Sequence, residues 1–176
     1  EMNWKDYFIY EQSSGCLIWK TREVKSLFDK KFNKLSAGNC AGTKGYIKSG
    51  ALKKPRGIVI GLMGKDYYAH RIAWEMLNGP IPGGMVIDHI NGNPFDNSAI
   101  NLRLATREQN YHNQGLSQRN TSGVKGVHFD KRRGRWRAEI RSYNNVISLG
   151  RFDTLEEAAK ARMDAALKYH GKFARA

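Results

Sequence analysis

The sequence predicts an α+β protein built as two modules, and three observations carry that prediction. Short apolar runs and turn residues fill the first part, followed by a helix with a hard stop and a strand, "HRIAWEMLNGPIPGGMVIDH". After residue 122 come three alternating strands and one capped helix, the content of a minimal α+β module. Positive charge is also concentrated in two blocks. Residues 20–56 hold eleven Lys or Arg against two acids, a net +9, and residues 119–151 hold nine against two, a net +7. With +14 in all, the rest of the chain is net −2. Charge of this kind speaks of partners, and two basic blocks flanking a near-neutral segment suggest nucleic acid gripped at two places.

At 176 residues the chain has room for one domain or two small ones. No apolar run approaches a membrane span, and "EMNWKDYFIY" is not a secretion signal, so no membrane partner and a cytoplasmic location are expected. Glu1, ahead of Met2, is set aside. Cys16 and Cys40 form no C-x-x-C pair, which argues against zinc and predicts isolated reduced thiols, as a cytosolic protein would carry.

Along the chain, "GCLIWK" reads as a strand, and "IVIGLMGKDYYAH" as a hairpin turning near Gly64-Lys65-Asp66. Residues 21–45 carry no clear pattern. In the helix beginning at His70, Ile72, Ala73, Met76 and Leu77 recur at helical spacing, and Gly79, Pro80 and Pro82 end it. The strand "GMVIDH" leads into an irregular loop and the extended run "NLRLAT". Thr106 and Gln109 spell a capping box, which makes "REQNYHN" helical. The polar stretch 114–121 reads as a linker, so the expected domains are 1–113 and 122–176. In the second, "GVHF", "RWRAEIRS" and "NNVISLGRF" are strands, and "TLEEAAKARMDAALKYHG" is a helix capped by Thr154 and Glu157 and stopped at Gly171.

The chemistry starts at "VIDHINGN". An apolar strand delivers Asp88 and His89, side by side, to a turn. Asn101 closes the loop beyond, and Asn110 falls on the capped helix. The four suit the hydrolysis of a phosphodiester bond. Asp88 offers the anionic oxygen that hard divalent cations prefer, and Asn110 can add a carbonyl oxygen. So small a protein shell leaves positions for phosphate and water. Neutral His89 can take a proton from water, and an Asn carbonyl, assigned to Asn101, can fix its tautomer.

The stretch "HRIAWEMLNGPIPGGMVIDHINGNPFDNSAINLRLATREQNYHN", residues 70–113, closely resembles the HNH nucleases, in particular phage-type homing endonucleases. The resemblance implies a ββα-metal nuclease domain. His89 would be the general base, oriented by Asn101, and Asp88 and Asn110 would hold one Mg²⁺ or Mn²⁺. Asn110 stands where many relatives have His, with His112 close by, and "DNSAINLR" departs from the usual loop.

In "RWRAEIRS", Trp136, Ala138 and Ile140 face one way, while Arg135, Arg137, Glu139 and Arg141 face the other. Ala158, Ala159, Ala161, Ala165 and Ala166 leave the helix narrow enough to lie on the apolar face. The guanidinium face then suits the major groove, where Arg reads guanine and Glu accepts from cytosine. "SGVKGVHF", "LGRFDTLEEAAKAR" and "AALKYHGKFA" make this module similar to AP2 DNA-binding domains. The resemblance implies DNA contacts at or near Lys125, His128, Arg133, Arg135, Arg137, Glu139 and Arg141. The expected activity is that of a phage-encoded, site-specific, metal-dependent DNA endonuclease that nicks or cuts both strands, as monomer or homodimer. The alternative is a DNA-binding regulator that uses the nuclease core as a scaffold.

Overall fold

A computed structural model describes residues 2–49, 52–143 and 145–175, with the backbone alone for 46–49 and 52–55. Lys48, Lys53 and Lys54 of the first basic block therefore lie outside the described side chains. The chain forms two compact units, 1–104 and 105–176.

The first unit opens with an antiparallel hairpin, β1 (Phe8–Glu11) and β2 (Cys16–Trp19), in register Phe8↔Trp19. The patternless region folds in part as helix α1 (Leu27–Leu35), whose N-cap Ser26 accepts from the Asp29 amide. None of the residues of α1 is buried, which is why it left so weak an apolar signal. Strands β3 (Thr43–Ser49), β4 (Leu52–Leu62) and β5 (Lys65–Tyr68) form an antiparallel sheet. Leu62 pairs with Lys65, so the β4–β5 turn is Met63-Gly64, one residue before the expected position. Both residues have positive φ, 51° and 72°, as a tight hairpin turn matched to strand twist requires.

Helix α2 (Ala69–Asn78) follows β5 directly and stops at Gly79. Ile72 and Ala73 enter the core, Met76 packs partly against it, and Leu77, expected with them, is exposed. Phe8, Leu17, Ile60, Leu62 and Ile72 make the principal cluster, and Ala73, Ile87 and Leu102 a second. That second cluster anchors the two-stranded sheet of β6 (Met85–His89) and β7 (Leu102–Thr106).

Cys16 and Cys40 are not isolated thiols. They are joined as a disulfide, with Cα atoms 5.7 Å apart. The bridging pair Ile18↔Cys40 lays the chain after α1 along β2, a proximity that spacing alone does not reveal. The cysteines therefore give no support to a reducing compartment.

In the second unit, α3 (Arg107–Asn113) is closed at its start by the expected capping box of Thr106 and Gln109. The expected domain boundary fell after residue 113, whereas the compact units divide between Leu104 and Ala105, which puts α3 with the C-terminal part. Residues 114–121 carry no helix or strand. Strands β8 (Val127–Asp130), β9 (Arg135–Ser142) and β10 (Asn145–Phe152) form an antiparallel sheet with β9 in the middle. Helix α4 (Leu155–His170) has the second capping box and lies on one sheet face. Ala138 and Ile140 are buried there against Ala158, Ala165 and Ala166, with Trp136 partly covered. Arg162 is also buried on α4, a position that the alanine pattern did not single out.

Candidate active site and nucleic-acid face

Strand β6 ends on Asp88 and His89, which are 3% and 9% exposed. Ile87 sits in the core beside them and fixes the register of the strand end. The loop that follows is built by short polar side chains that bond nearby backbone, as Asn and Asp do in turns. Asn91 Oδ1 accepts from the Asn93 amide at 2.8 Å, and Asn91 Nδ2 donates to Asp96 at 2.7 Å. Asp96 Oδ1 takes both the Ser98 amide and hydroxyl, and the Ser98 hydroxyl is the chief cause holding the Asp96 carboxyl below its ordinary pKa. Gly92, at φ 69°, permits the tight turn whose amide returns to His89 O.

His89 Nε2 lies 3.0 Å from Asn97 Oδ1. With the carboxamide so oriented, Nε2 carries the proton and Nδ1 is the basic nitrogen. Sequence reasoning assigns this task to Asn101, but Asn101 uses its carboxamide on the loop itself. Its Oδ1 accepts from the Asn91 amide at 2.9 Å, and its Nδ2 donates to Asp96 O at 2.7 Å. Asn101 is thus a loop clamp, and Asn97, four residues earlier, holds the imidazole. "PFDNSAINLR" offers both residues, and only the path of the loop distinguishes them.

Asn97 is 1% exposed and is itself backed by the first hairpin. Tyr10 donates to Asn97 O at 2.7 Å, and the Ala99 amide donates to Gln12 O at 2.9 Å. A Cβ at Gly15 would stand 2.3 Å from the Asn97 carbonyl carbon, so that turn of the hairpin requires glycine. The N-terminal strands therefore support the residue that holds His89.

Two further residues belong to the site. Arg103 on β7 donates through Nε to Asp88 Oδ2 at 2.8 Å, and its other guanidinium nitrogen lies at 2.8 Å from the same oxygen. Both side chains are largely buried. The signal was alternation along "LRLAT", which turns Arg103 away from the core-facing Leu102 and Leu104. His70, at the start of α2, has its ring centroid 5.1 Å from that of His89 and stacks on Tyr68 at 5.3 Å. Burial first, then the charges of His89 and Arg71, push its pKa down to about 3. His70 is therefore a neutral partner of the site, and its place at the head of the "HRIAW" stretch was the available clue.

The depressed His70 value has a consequence for stability. The unfolded chain takes up this proton near pH 6.5 and the folded chain only near 3, so the contribution is complete above 6.5 and is lost as pH falls. Between pH 7.5 and 5 the parent should lose about 2 kcal/mol more than His70→Gln, at about 1.4 kcal/mol per proton and pH unit. Urea denaturation at the two pH values measures the difference, and equal losses would refute it.

Asp88, His89 and Asn101 belong to the first unit, and Asn110 lies on α3 in the second. Among the described residues, no group of three or more His, Cys, Asp or Glu is arranged to hold a metal. The buried Asp88 carboxylate is the kind of oxygen donor that a hard divalent cation prefers.

The second unit presents the basic face. On the exposed side of the sheet the register aligns His128, Arg137 and Arg151 in one row across β8, β9 and β10. Arg151 was not singled out from the sequence, and only the strand pairing brings it into line. Arg135 pairs with Asp153 at 2.9 Å, Arg137 with Glu139 at 2.9 Å, and Arg133 with Asp130 at 3.9 Å. Such exposed pairs are weak and can yield to phosphate. Arg141 is exposed near the end of β9.

Lys125, expected among the DNA contacts, is used inside the protein. Its Nζ donates to His112 O at 2.9 Å, Gln114 O at 2.7 Å and Tyr111 O at 3.4 Å. Burial, with Arg162 and Arg175 nearby, pushes its pKa down to about 8. The His112 ring stacks on His170 at 3.6 Å with the planes 10° apart. Burial is the first cause that lowers the pKa of both rings.

Residues 67–112 match the family model described as HNH endonuclease, and residues 122–172 match that of the AP2 domain. Protein 3.8 of Escherichia phage T7 is 39% identical over 109 residues, which are 60% of this chain and 87% of the phage protein. An uncharacterized HNH endonuclease of Acanthamoeba polyphaga mimivirus is 30% identical over 106 residues, 60% of this chain and 54% of the viral protein. No solved structure gives a significant match.

Proposed function

The chain belongs to the HNH endonucleases, with an AP2 domain behind its nuclease domain, and from that premise we propose that it is a site-specific, metal-dependent DNA endonuclease of the homing type. The observation that carries the reading is the buried Asp88-His89 pair at the end of β6, with Asn97 Oδ1 on His89 Nε2. A base held in one tautomer, beside a carboxylate, is equipped to hydrolyse a phosphodiester.

In this reading β6, β7 and α3 are the ββα-metal element, and Asp88 with Asn110 would hold one Mg²⁺ or Mn²⁺. When bound, the ion supplies positive charge to the scissile phosphate and its leaving oxygen. His89 takes the proton of the attacking water at Nδ1. Asn97 keeps that nitrogen basic, and neutral His70 walls the imidazole without adding charge. Arg103 keeps Asp88 in one orientation. Asn101 holds the loop past which the DNA backbone must come.

The AP2 sheet supplies address and affinity through His128, Arg133, Arg135, Arg137, Glu139 and Arg141, with Arg151 added by register. No helix among the described residues is long and apolar enough to cross a membrane. The relative in phage T7 supports action inside a bacterial host.

Supercoiled plasmid carrying host or phage sequence, incubated with and without Mg²⁺, tests the activity. Metal-dependent nicking or linearisation at mapped sites is expected. Tight DNA binding without cleavage at any metal concentration would make the protein a regulator instead.

Replacing Arg135, Arg137 and Arg141 together with Ala should weaken binding and leave the packing of Ala138 and Ile140 intact. Removing each phosphate-binding cation flattens the log–log salt dependence by about one unit. Cleavage at low salt and high protein should persist. Binding and target selection unchanged in the triple variant would show that this face is merely solvated.

A further inference from the structure

We propose that Lys125 is a positioning residue that clamps the end of α3, so that the C-terminal unit fixes the helix on which Asn110 stands. The proposal rests on the reading of Asn110 as a metal ligand. Helix α3 has only seven residues, and a helix so short is not stable alone. Its first turn is satisfied by the Thr106–Gln109 capping box. Its last turn needs partners for carbonyls that have no further amide to accept from.

Lys125 serves this end of the helix, with Nζ donating to the His112 and Gln114 carbonyls at 2.9 and 2.7 Å and within 3.4 Å of the Tyr111 carbonyl, which also accepts from the Gln114 amide. A cation at a helix C-terminus also meets the negative end of the helix dipole. Arg175, beyond α4, donates to Asn113 O at 3.3 Å. His112 is held from the side by its stack on His170, whose Nε2 is 2.8 Å from Arg141 O on β9.

All of these partners lie in the second unit. Asn110 precedes Tyr111 directly, so fraying of the last turn reaches it at once. The module that addresses DNA therefore also braces the helix of the metal ligand. A chain cut between the family segments, after residue 113, would lose Lys125 and with it that brace. The expected domain of residues 1–113 would by itself lack this brace.

The test uses the full chain with Lys125→Met, and with Arg175→Ala as a milder variant should the first fold poorly. Hydrogen exchange reads α3 directly. Exchange of the Tyr111, His112 and Asn113 amides should rise by about tenfold in Lys125→Met, the worth of a charge-assisted hydrogen bond, while the middle of α4 keeps its protection. Binding of Mn²⁺ to the protein, and the Mn²⁺ needed for half-maximal cleavage, should shift together to higher concentration. DNA affinity measured in EDTA should be nearly unchanged, and Lys125→Arg should restore most of the protection. Unchanged α3 exchange in both variants would overturn the clamp. So would a salt dependence of DNA binding flatter by about one unit, which would make Lys125 a phosphate-binding residue. If the parent itself shows no metal-dependent cleavage, the nuclease reading fails, and the exchange measurement alone decides the clamp.

Discussion

His89→Ala should abolish cleavage while leaving DNA affinity close to that of the parent. A neutral imidazole adds little to the binding of a polyanion, and the Arg-rich sheet of the second unit is untouched. Loss of a general base alone lowers rates by roughly 10²- to 10⁴-fold. The ring lies at the end of β6 with Asn97 behind it, so alanine removes the base and leaves the polar loop able to close through Asn91, Asp96 and Asn101. Asn97→Ala should resemble His89→Ala in direction but be less severe, because it frees the tautomer without removing the base. The measurement is single-turnover cleavage of a mapped target, with affinity determined separately in EDTA. Near-normal turnover of His89→Ala would remove His89 from the chemistry.

Asp88 should behave differently because, in the proposed site, it would hold the metal as well as pair with Arg103. Asp88→Asn keeps the side-chain shape but loses the anionic oxygen, so cleavage should require much more Mg²⁺ or Mn²⁺ and recover in part as metal is raised. Asp88→Ala should also cost stability. It strands the largely buried Arg103 guanidinium, and breaking one side of a buried ion pair costs roughly 3–5 kcal/mol. The double variant Asp88→Ala, Arg103→Met should recover much of that stability and none of the cleavage. Denaturation together with metal titration separates the two effects. An unchanged metal requirement in Asp88→Asn would exclude Asp88 as a ligand, and an unchanged stability in Asp88→Ala would exclude the cost assigned to its ion pair.

Much of the protein was legible from local patterns. The two capping boxes are written at a spacing of three residues, and both form. The stop at Gly79 and the alternation of β9 likewise depend on neighbours in sequence. Helix α1 was not legible because it buries nothing and so leaves no core stripe. The turn of β4 and β5 was misplaced by one residue because Met63 adopts a positive φ that its residue type does not advertise.

The sequence by itself determined the α+β class, the second module with its Arg face, and the Asp88-His89 pair at the mouth of a turn. These follow from periodicity, charge and turn chemistry, which act over a few residues. The tertiary structure alone decided which side chains meet. It put Asn97 rather than Asn101 on His89, Arg103 on Asp88, His70 beside the imidazole, and Cys16 against Cys40. It also placed Lys125, expected among the DNA contacts, at the end of α3. In each case several residues had suitable chemistry. The path of the loop, the strand register and the burial of one charge then selected among them, and those are set by packing between segments distant in the chain.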